Sequence, residues 1–128
     1  MLIEFIKPDF DFTDDRGSLT QLVHKGWNQV NYITSVGGAF RGNHYHKNNI
    51  EAFYVIAGEF KLIAESVDGT QREEHNMKSG DFFIVKPYTN HSFEYIKDTQ
   101  LISFYDKGFE NPDGSKDSFV PNIETERA

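Results

Sequence analysis

The chain contains no cysteine. That excludes a disulfide framework and a thiolate metal site, and it fits a reducing compartment. No stretch approaches the roughly 20 apolar residues that a membrane helix needs. The opening MLIEFIKPDFDF carries Glu4 and Lys7, no apolar run of about seven residues and no small-residue cleavage site, so it does not read as a signal peptide. A cytoplasmic protein that does not enter a membrane is the expectation. Basic residues are in deficit, with 13 Lys and Arg against 20 Asp and Glu and a formal charge of -7. That balance argues against nucleic-acid binding, which draws its affinity from Lys and Arg on phosphates. A few local cations can still hold one phosphate group on an acidic protein. No window of about 11 residues shows a helical period of 3.6. Repeats, low-complexity segments and a domain linker are also lacking.

What remains is aromatic and short-ranged. The 128 residues suit one domain over 1–128. Aromatics make up 15%, with 12 Phe and 6 Tyr, a content that favours strands. Turn signals recur at DDRG (14–17), HKG (24–26), GG (37–38), AG (57–58), VDG (68–70), SG (79–80), KPYTN (86–90) and NPDG (111–114). Between them lie short runs rich in Val, Ile, Phe, Tyr and Thr, the pattern of an all-β sandwich or barrel. Strands are expected at 2–6, 18–23, 29–36, 39–46, 51–57, 59–66, 71–77, 81–85, 91–96 and 99–105. In 59–66, Phe60, Leu62 and Ala64 share a face. In 100–106, Leu101, Ser103 and Tyr105 face one way and Ile102 and Phe104 the other. The core is expected over about 10–106. The polar tail 107–128, with Pro112 and Pro121, reads as extended or partly loose.

Two of the five histidines, His44 and His46, sit one residue apart, followed by Glu51, inside an apolar pattern. Residues i and i+2 of a strand share a face, so the two imidazoles point together with Cβ atoms roughly 6.5–7 Å apart. An antiparallel hairpin through KNNI would return Glu51 beside them. His91 opens a later strand in a comparable setting. Three imidazoles and a carboxylate are costly to bury without a partner. His24 and His75 belong to no such group, and His75, in REEHN, reads as solvated.

The spacing of Gly38, His44, His46, Glu51 and Gly58 resembles the first motif of the cupin family. Gly80 and His91 match the spacing of its second motif, though Lys86 and Tyr88 stand where that family commonly has Pro and Gly. The resemblance implies an all-β, cupin-type double-stranded β-helix, a jelly-roll barrel in a single domain. It further implies that His44, His46, Glu51 and His91 project inward onto one divalent transition metal. Imidazole and carboxylate suit Zn, Mn, Fe, Co or Ni alike.

DDRGSLTQL (14–22), FRGNHYHK (40–47) and FYDKGFENPD (104–113) narrow the resemblance to cupins acting on nucleotide-linked deoxysugars. These are 3,5-epimerases, 3,4-ketoisomerases and the cupin domain of capsular-polysaccharide reductase/epimerases. The implied activity is isomerisation of a nucleotide-linked 4-keto-6-deoxy sugar through an enolate, in surface-polysaccharide synthesis. The ketone acidifies neighbouring C–H bonds, a base removes a proton, and a cation steadies the enolate oxygen. His44, Lys47, Lys86 and Tyr105 are the catalytic candidates. Arg16 and Arg41 are candidates for the diphosphate, and Tyr54, Tyr88 and Phe93 for stacking. Phe109 stands near where the epimerases carry an acidic tyrosine, which weighs against simple 3,5-epimerisation. Glu51 favours the metal-holding branch. That branch is fused to a reductase, so a reductase serving this chain would be a separate protein. The alternatives are a non-catalytic sugar-binding cupin and an iron-dependent small-molecule dioxygenase. Small cupins commonly dimerise, often by exchanging an N-terminal strand, so a homodimer is expected.

Overall fold

The computed structural model describes residues 1–121. Eleven strands follow in chain order: β1 Ile3–Phe5, β2 Phe10–Asp14, β3 Gly17–Gln21, β4 Gln29–Ser35, β5 Phe40–His44, β6 Glu51–Ala57, β7 Glu59–Ser66, β8 Arg72–Lys78, β9 Phe82–Val85, β10 Thr89–Tyr95 and β11 Thr99–Tyr105. There is no helix among the described residues, and none long and apolar enough to cross a membrane. Five strands form one sheet in the order β1-β9-β6-β11-β4, and four form a second, β5-β10-β7-β8. Every pairing is antiparallel. The all-β jelly roll expected from the sequence is the fold observed.

The core is the space between the two sheets. Phe53, Val55, Phe83 and Leu101 from the first meet Phe60, Leu62, Ala64, Phe93 and Tyr95 from the second, all buried. Alternation makes this possible, because each strand turns every second side chain inward. On the outer face of the first sheet, Ala52, Phe82 and Phe104 form another cluster, covered by Ile6, Leu22, Val23 and Trp27. Loop 22–27 therefore covers part of the first sheet and leaves the second sheet's outer face to charged residues such as Lys61, Glu74 and Glu94.

Three expectations need correction. The chain does not make a hairpin from β5 to β6, because the two strands lie in different sheets. The 45–50 link crosses between sheets, so Glu51 meets the histidines from across the core. Strand β2 was not foreseen. It pairs only with β3, with Phe12 opposite Leu19, as a two-stranded ribbon outside both large sheets. Exposed on both faces, it has no burial contrast for a sequence pattern to record. The tail is also held. Tyr45 and Phe119 exchange backbone hydrogen bonds at 2.9 and 3.0 Å, and Asp117 and Ser118 are buried. The rest of the expected tail, 122–128, lies outside the described residues.

The segment Arg41-Gly42-Asn43-His44 bends sharply. Gly42 has φ +97° and Asn43 +61°, both left-handed, and the register between β5 and β10 shifts here. This bulge fixes where His44 leaves the strand. A Cβ on Gly42 would lie 2.7 Å from the His91 carbonyl oxygen. Gly42→Ala is expected to cost about 2–3 kcal/mol in chemical denaturation, from left-handed strain plus the clash. An unchanged midpoint would show that the bulge relaxes freely.

Candidate metal centre

His91 pairs directly with His44 across β10 and β5, and His46 lies just past the end of β5. The rings of His44, His46 and His91 lie 4.7–5.3 Å apart, centroid to centroid. One donor nitrogen from each lies within 4.8 Å of the others. Glu51 arrives from the opposite sheet, its Oε1 2.9 Å from His46 Nε2 and 3.3 Å from His91 Nε2. His91 is 0% exposed, His46 2% and Glu51 3%.

The backbone sets the ring orientations. His91 Nδ1–H donates to the Thr89 carbonyl at 3.0 Å, and His46 Nδ1–H to the Asp117 carbonyl at 2.5 Å. Both rings therefore turn Nε2 toward Glu51. His91 Nε2 is buried with no hydrogen-bond partner, being off line for one to Glu51 despite the short distance. A lone pair aimed at a carboxylate is an unfavourable pairing of two acceptors. A cation between them removes the conflict.

Electrostatics keep the donors available. Burial first, then the charges of His91 and His46, push His44 down to about 3, so its ring is neutral near pH 7. Burial would raise Glu51, but the hydrogen bond from His46 and the adjacent His91 ring outweigh it and hold the carboxyl at about 2. For His46 burial is likewise outweighed, here by the bond to and charge of Glu51, and its pKa rises above the ordinary 6.5. The three imidazoles thus fit a divalent ion by donor type, convergence and the orphaned nitrogen of His91, with the Glu51 carboxylate beside His46 and His91 as a further donor.

A proton on His46 Nε2 and a metal compete for one lone pair. His46 is protonated below its raised pKa, while His44 is already neutral and Glu51 already ionised. Metal affinity should therefore fall at least about tenfold per pH unit on acidification below the His46 pKa, with proton release on binding. Competition with a chelating indicator from pH 5 to 9 measures the slope. A slope of zero would contradict this assignment.

Beside the cluster lies a cavity of ≈ 270 Å³, enclosed by β4, β6 and β11 on one side and β5 and β10 on the other. His44, Glu51, Arg41 and Tyr105 line it. Its remaining wall is apolar around Phe53, Phe93 and Leu101 and polar at Asn31 and Ser103, whose side chains bond at 3.1 Å. Burial first, then the charge of Glu51 and a hydrogen bond to it, raises the Tyr105 hydroxyl far above its ordinary 10, so it is a protonated donor. Arg41 is steadied through Nη1 by the Thr34 carbonyl and Ser35 Oγ at 3.2 and 3.0 Å.

The other candidates lie elsewhere. Lys47 Nζ sits 4.3 Å from the Phe119 ring centroid and borders a separate groove with Lys107. Lys86 is exposed, as is Tyr88, which packs near Tyr45. Tyr54 packs edge-on against Phe82 on the outer face of the first sheet. Arg16, at the tip of the β2–β3 ribbon, bonds Asp14 through Nε at 3.0 Å. His75 is half-buried against the Phe5 ring and bonds Glu73 at 3.0 Å, not solvated as expected. His24 pairs with Asp9. Sequence reasoning missed Asp117, since a polar tail gives no periodic signal for one buried acid.

A family model described as the polysaccharide biosynthesis C-terminal domain matches residues 12–113. No curated protein matches the sequence. Among solved structures, the capsular polysaccharide assembling protein CapF from Staphylococcus aureus is similar at 22% identity and TM-score 0.67, over 89% of this chain and 34% of that one. This chain therefore spans about a third of CapF. The 3,4-ketoisomerase QdtA from Thermoanaerobacterium thermosaccharolyticum, solved in complex with TDP, is similar at 20% identity and TM-score 0.72, over 92% of this chain and 86% of that one. ChmJ, a 3'-monoepimerase from Streptomyces bikiniensis solved with dTDP-quinovose, gives 17% and 0.73, over 93% and 69%. These likenesses show a shared cupin-type fold.

Proposed function

The chain belongs to the polysaccharide biosynthesis C-terminal domain family, and from that premise we propose that it is an isomerase of a nucleotide-linked 4-keto-6-deoxy sugar. Epimerisation and 3,4-keto-isomerisation share the first step, removal of a proton beside the ketone. The observation that carries the reading is a neutral imidazole and a protonated phenol, His44 and Tyr105, on the wall of one sugar-sized cavity beside a metal-type cluster. The similar ketoisomerase and monoepimerase folds, solved with TDP or a dTDP sugar, support it.

The sugar enters the cavity with its 6-methyl against Phe53, Phe93 and Leu101 and its hydroxyls toward Asn31 and Ser103. Arg41 grips the diphosphate, which a guanidinium can hold through two parallel hydrogen bonds. A divalent ion held by His46, Glu51 and His91, and by His44 when no substrate is present, would supply positive charge for the enolate oxygen. One ring nitrogen cannot both ligate and accept a proton, so His44 turns to the substrate as base. It lines the cavity, which His46 and His91 do not. The diphosphate and developing enolate raise its basicity by adding negative charge nearby. Tyr105 gives its own proton to the enolate, and proton exchange with solvent then restores the phenol and the neutral His44 ring. Lys47, Lys86, Tyr54 and Tyr88 take no part in these steps. A cytoplasmic location belongs to the same reading, as does a role in surface polysaccharide synthesis.

Incubation with TDP-4-keto-6-deoxyglucose in heavy water tests the proposal by mass spectrometry. One deuterium beside the ketone is expected. No uptake across a panel of nucleotide-linked 4-keto sugars would remove it.

The homodimer is part of this proposal. Phe10, Phe12 and Leu19 share one face of the β2–β3 ribbon and are 50–58% exposed, an apolar face that suits burial against a second copy. Such packing would carry Arg16 to the neighbouring chain. Light scattering is expected to give a dimer, and Phe12→Asp a monomer. A monomeric native chain would reject the assembly.

A further inference from the structure

Asp117 has no place in the steps above, yet it is 0% exposed. Its Oδ1 accepts the backbone N–H of Lys47 at 2.8 Å. Its Oδ2 accepts those of Asn48 and Asn49, both at 3.0 Å, and the Asn49 side-chain amide at 2.8 Å. Four donors therefore converge on one carboxylate. They belong to the link that crosses from β5 in one sheet to β6 in the other, between His46 and Glu51. The same residue's carbonyl takes the His46 Nδ1–H bond. Asn49 Oδ1 in turn accepts the backbone N–H groups of Lys107 and Gly108 at 3.1 and 2.9 Å, tying the start of the tail to the loop.

We propose that Asp117 is the positioning residue of the metal centre: its carboxylate fixes the 47–49 loop, and its carbonyl, held in register by that anchor, holds the His46 ring with Nε2 toward the ion. The inference rests on the metal reading of the cluster. Its physical basis is that a ligating imidazole needs its second nitrogen engaged to fix ring orientation and tautomer. A backbone carbonyl is useful here only while residue 117 stays in place, and the carboxylate is what keeps it there. An amide side chain cannot substitute. Asparagine offers one acceptor oxygen to four donors and adds an N–H2 of its own.

The test uses the full chain and Asp117→Asn, with Zn²⁺ as the probe. In the metal-free native protein, the His46 Nδ1–H proton is expected as a downfield NMR signal protected from exchange. In Asp117→Asn that protection is lost, and Zn²⁺ affinity falls 10–100-fold, the range seen when outer partners of ligating histidines are removed. Asp106→Ala is the control for simple loosening. Asp106 Oδ1 accepts the Ile50 N–H at 2.8 Å in the same loop, so removing that acceptor should lose stability and keep Zn²⁺ affinity within about twofold. If Asp117→Asn fails to fold, Asp117→Glu, which keeps the charge and displaces it by one methylene, is expected to give the same ring-proton loss with a smaller affinity change. A protected ring proton and native affinity in the folded Asp117 variant would overturn the proposal, as would an equal affinity loss in Asp106→Ala. A native chain that shows the ring proton but binds no Zn²⁺ would refute the metal reading instead.

Discussion

Replacing Glu51 by Gln is expected to empty the centre while leaving the fold intact. The exchange is isosteric, so packing between the sheets is unchanged. What it removes is the carboxylate charge that faces both His46 and His91. Without it only the carbonyl bond and charge of Asp117 oppose burial at His46, so the pKa of that ring falls. A divalent ion at this centre would lose its carboxylate ligand, and with it the positive charge proposed for the enolate oxygen would go. We expect metal content to fall from about one equivalent toward zero, and the exchange rate by about 10²–10³-fold, the usual effect of removing an electrostatic stabiliser. Elemental analysis, circular dichroism and deuterium uptake on one preparation check all three parts. Full metal content in Glu51→Gln would show that three imidazoles suffice.

Tyr105→Phe should separate the two proton transfers. The hydroxyl lines the cavity and is held protonated by burial and by Glu51. Loss of a positioned acid typically costs about 10²–10⁴-fold. We expect kcat for product formation to fall by that amount with KM little changed, because the ring still fills its place. Deuterium should still enter the substrate, since His44 can remove a proton and return one to the same face. Loss of substrate exchange together with product would make Tyr105 part of proton removal.

The sequence disclosed most readily what repeats. Alternation placed Leu101, Ser103 and Tyr105 on one face of β11 and Ile102 and Phe104 on the other, and the cavity and the outer cluster divide along that line. Phe60, Leu62 and Ala64 are each buried as their shared face requires. The histidines and Glu51 stood out because polar groups broke an apolar pattern. Whether two strands joined by a short turn pair or change sheets is not a property of either strand. The crossing at 45–50 depends on backbone donors held by Asp117, roughly 70 residues away in sequence. Strand β2 escaped notice for the opposite reason: in a ribbon with no core-facing side it shows no alternation of burial. Lys47 and Lys86 were attractive for their charge, but charge alone does not say which way a loop side chain turns.

The direct test of the whole account is an anomalous-scattering map from crystals grown with the metal the protein retains on purification. The account predicts one peak within bonding distance of His46 Nε2, His91 Nε2 and a Glu51 oxygen, with His44 facing the same point. A map without such a peak, and with His91 Nε2 hydrogen-bonded to a protein group or water instead, would contradict it.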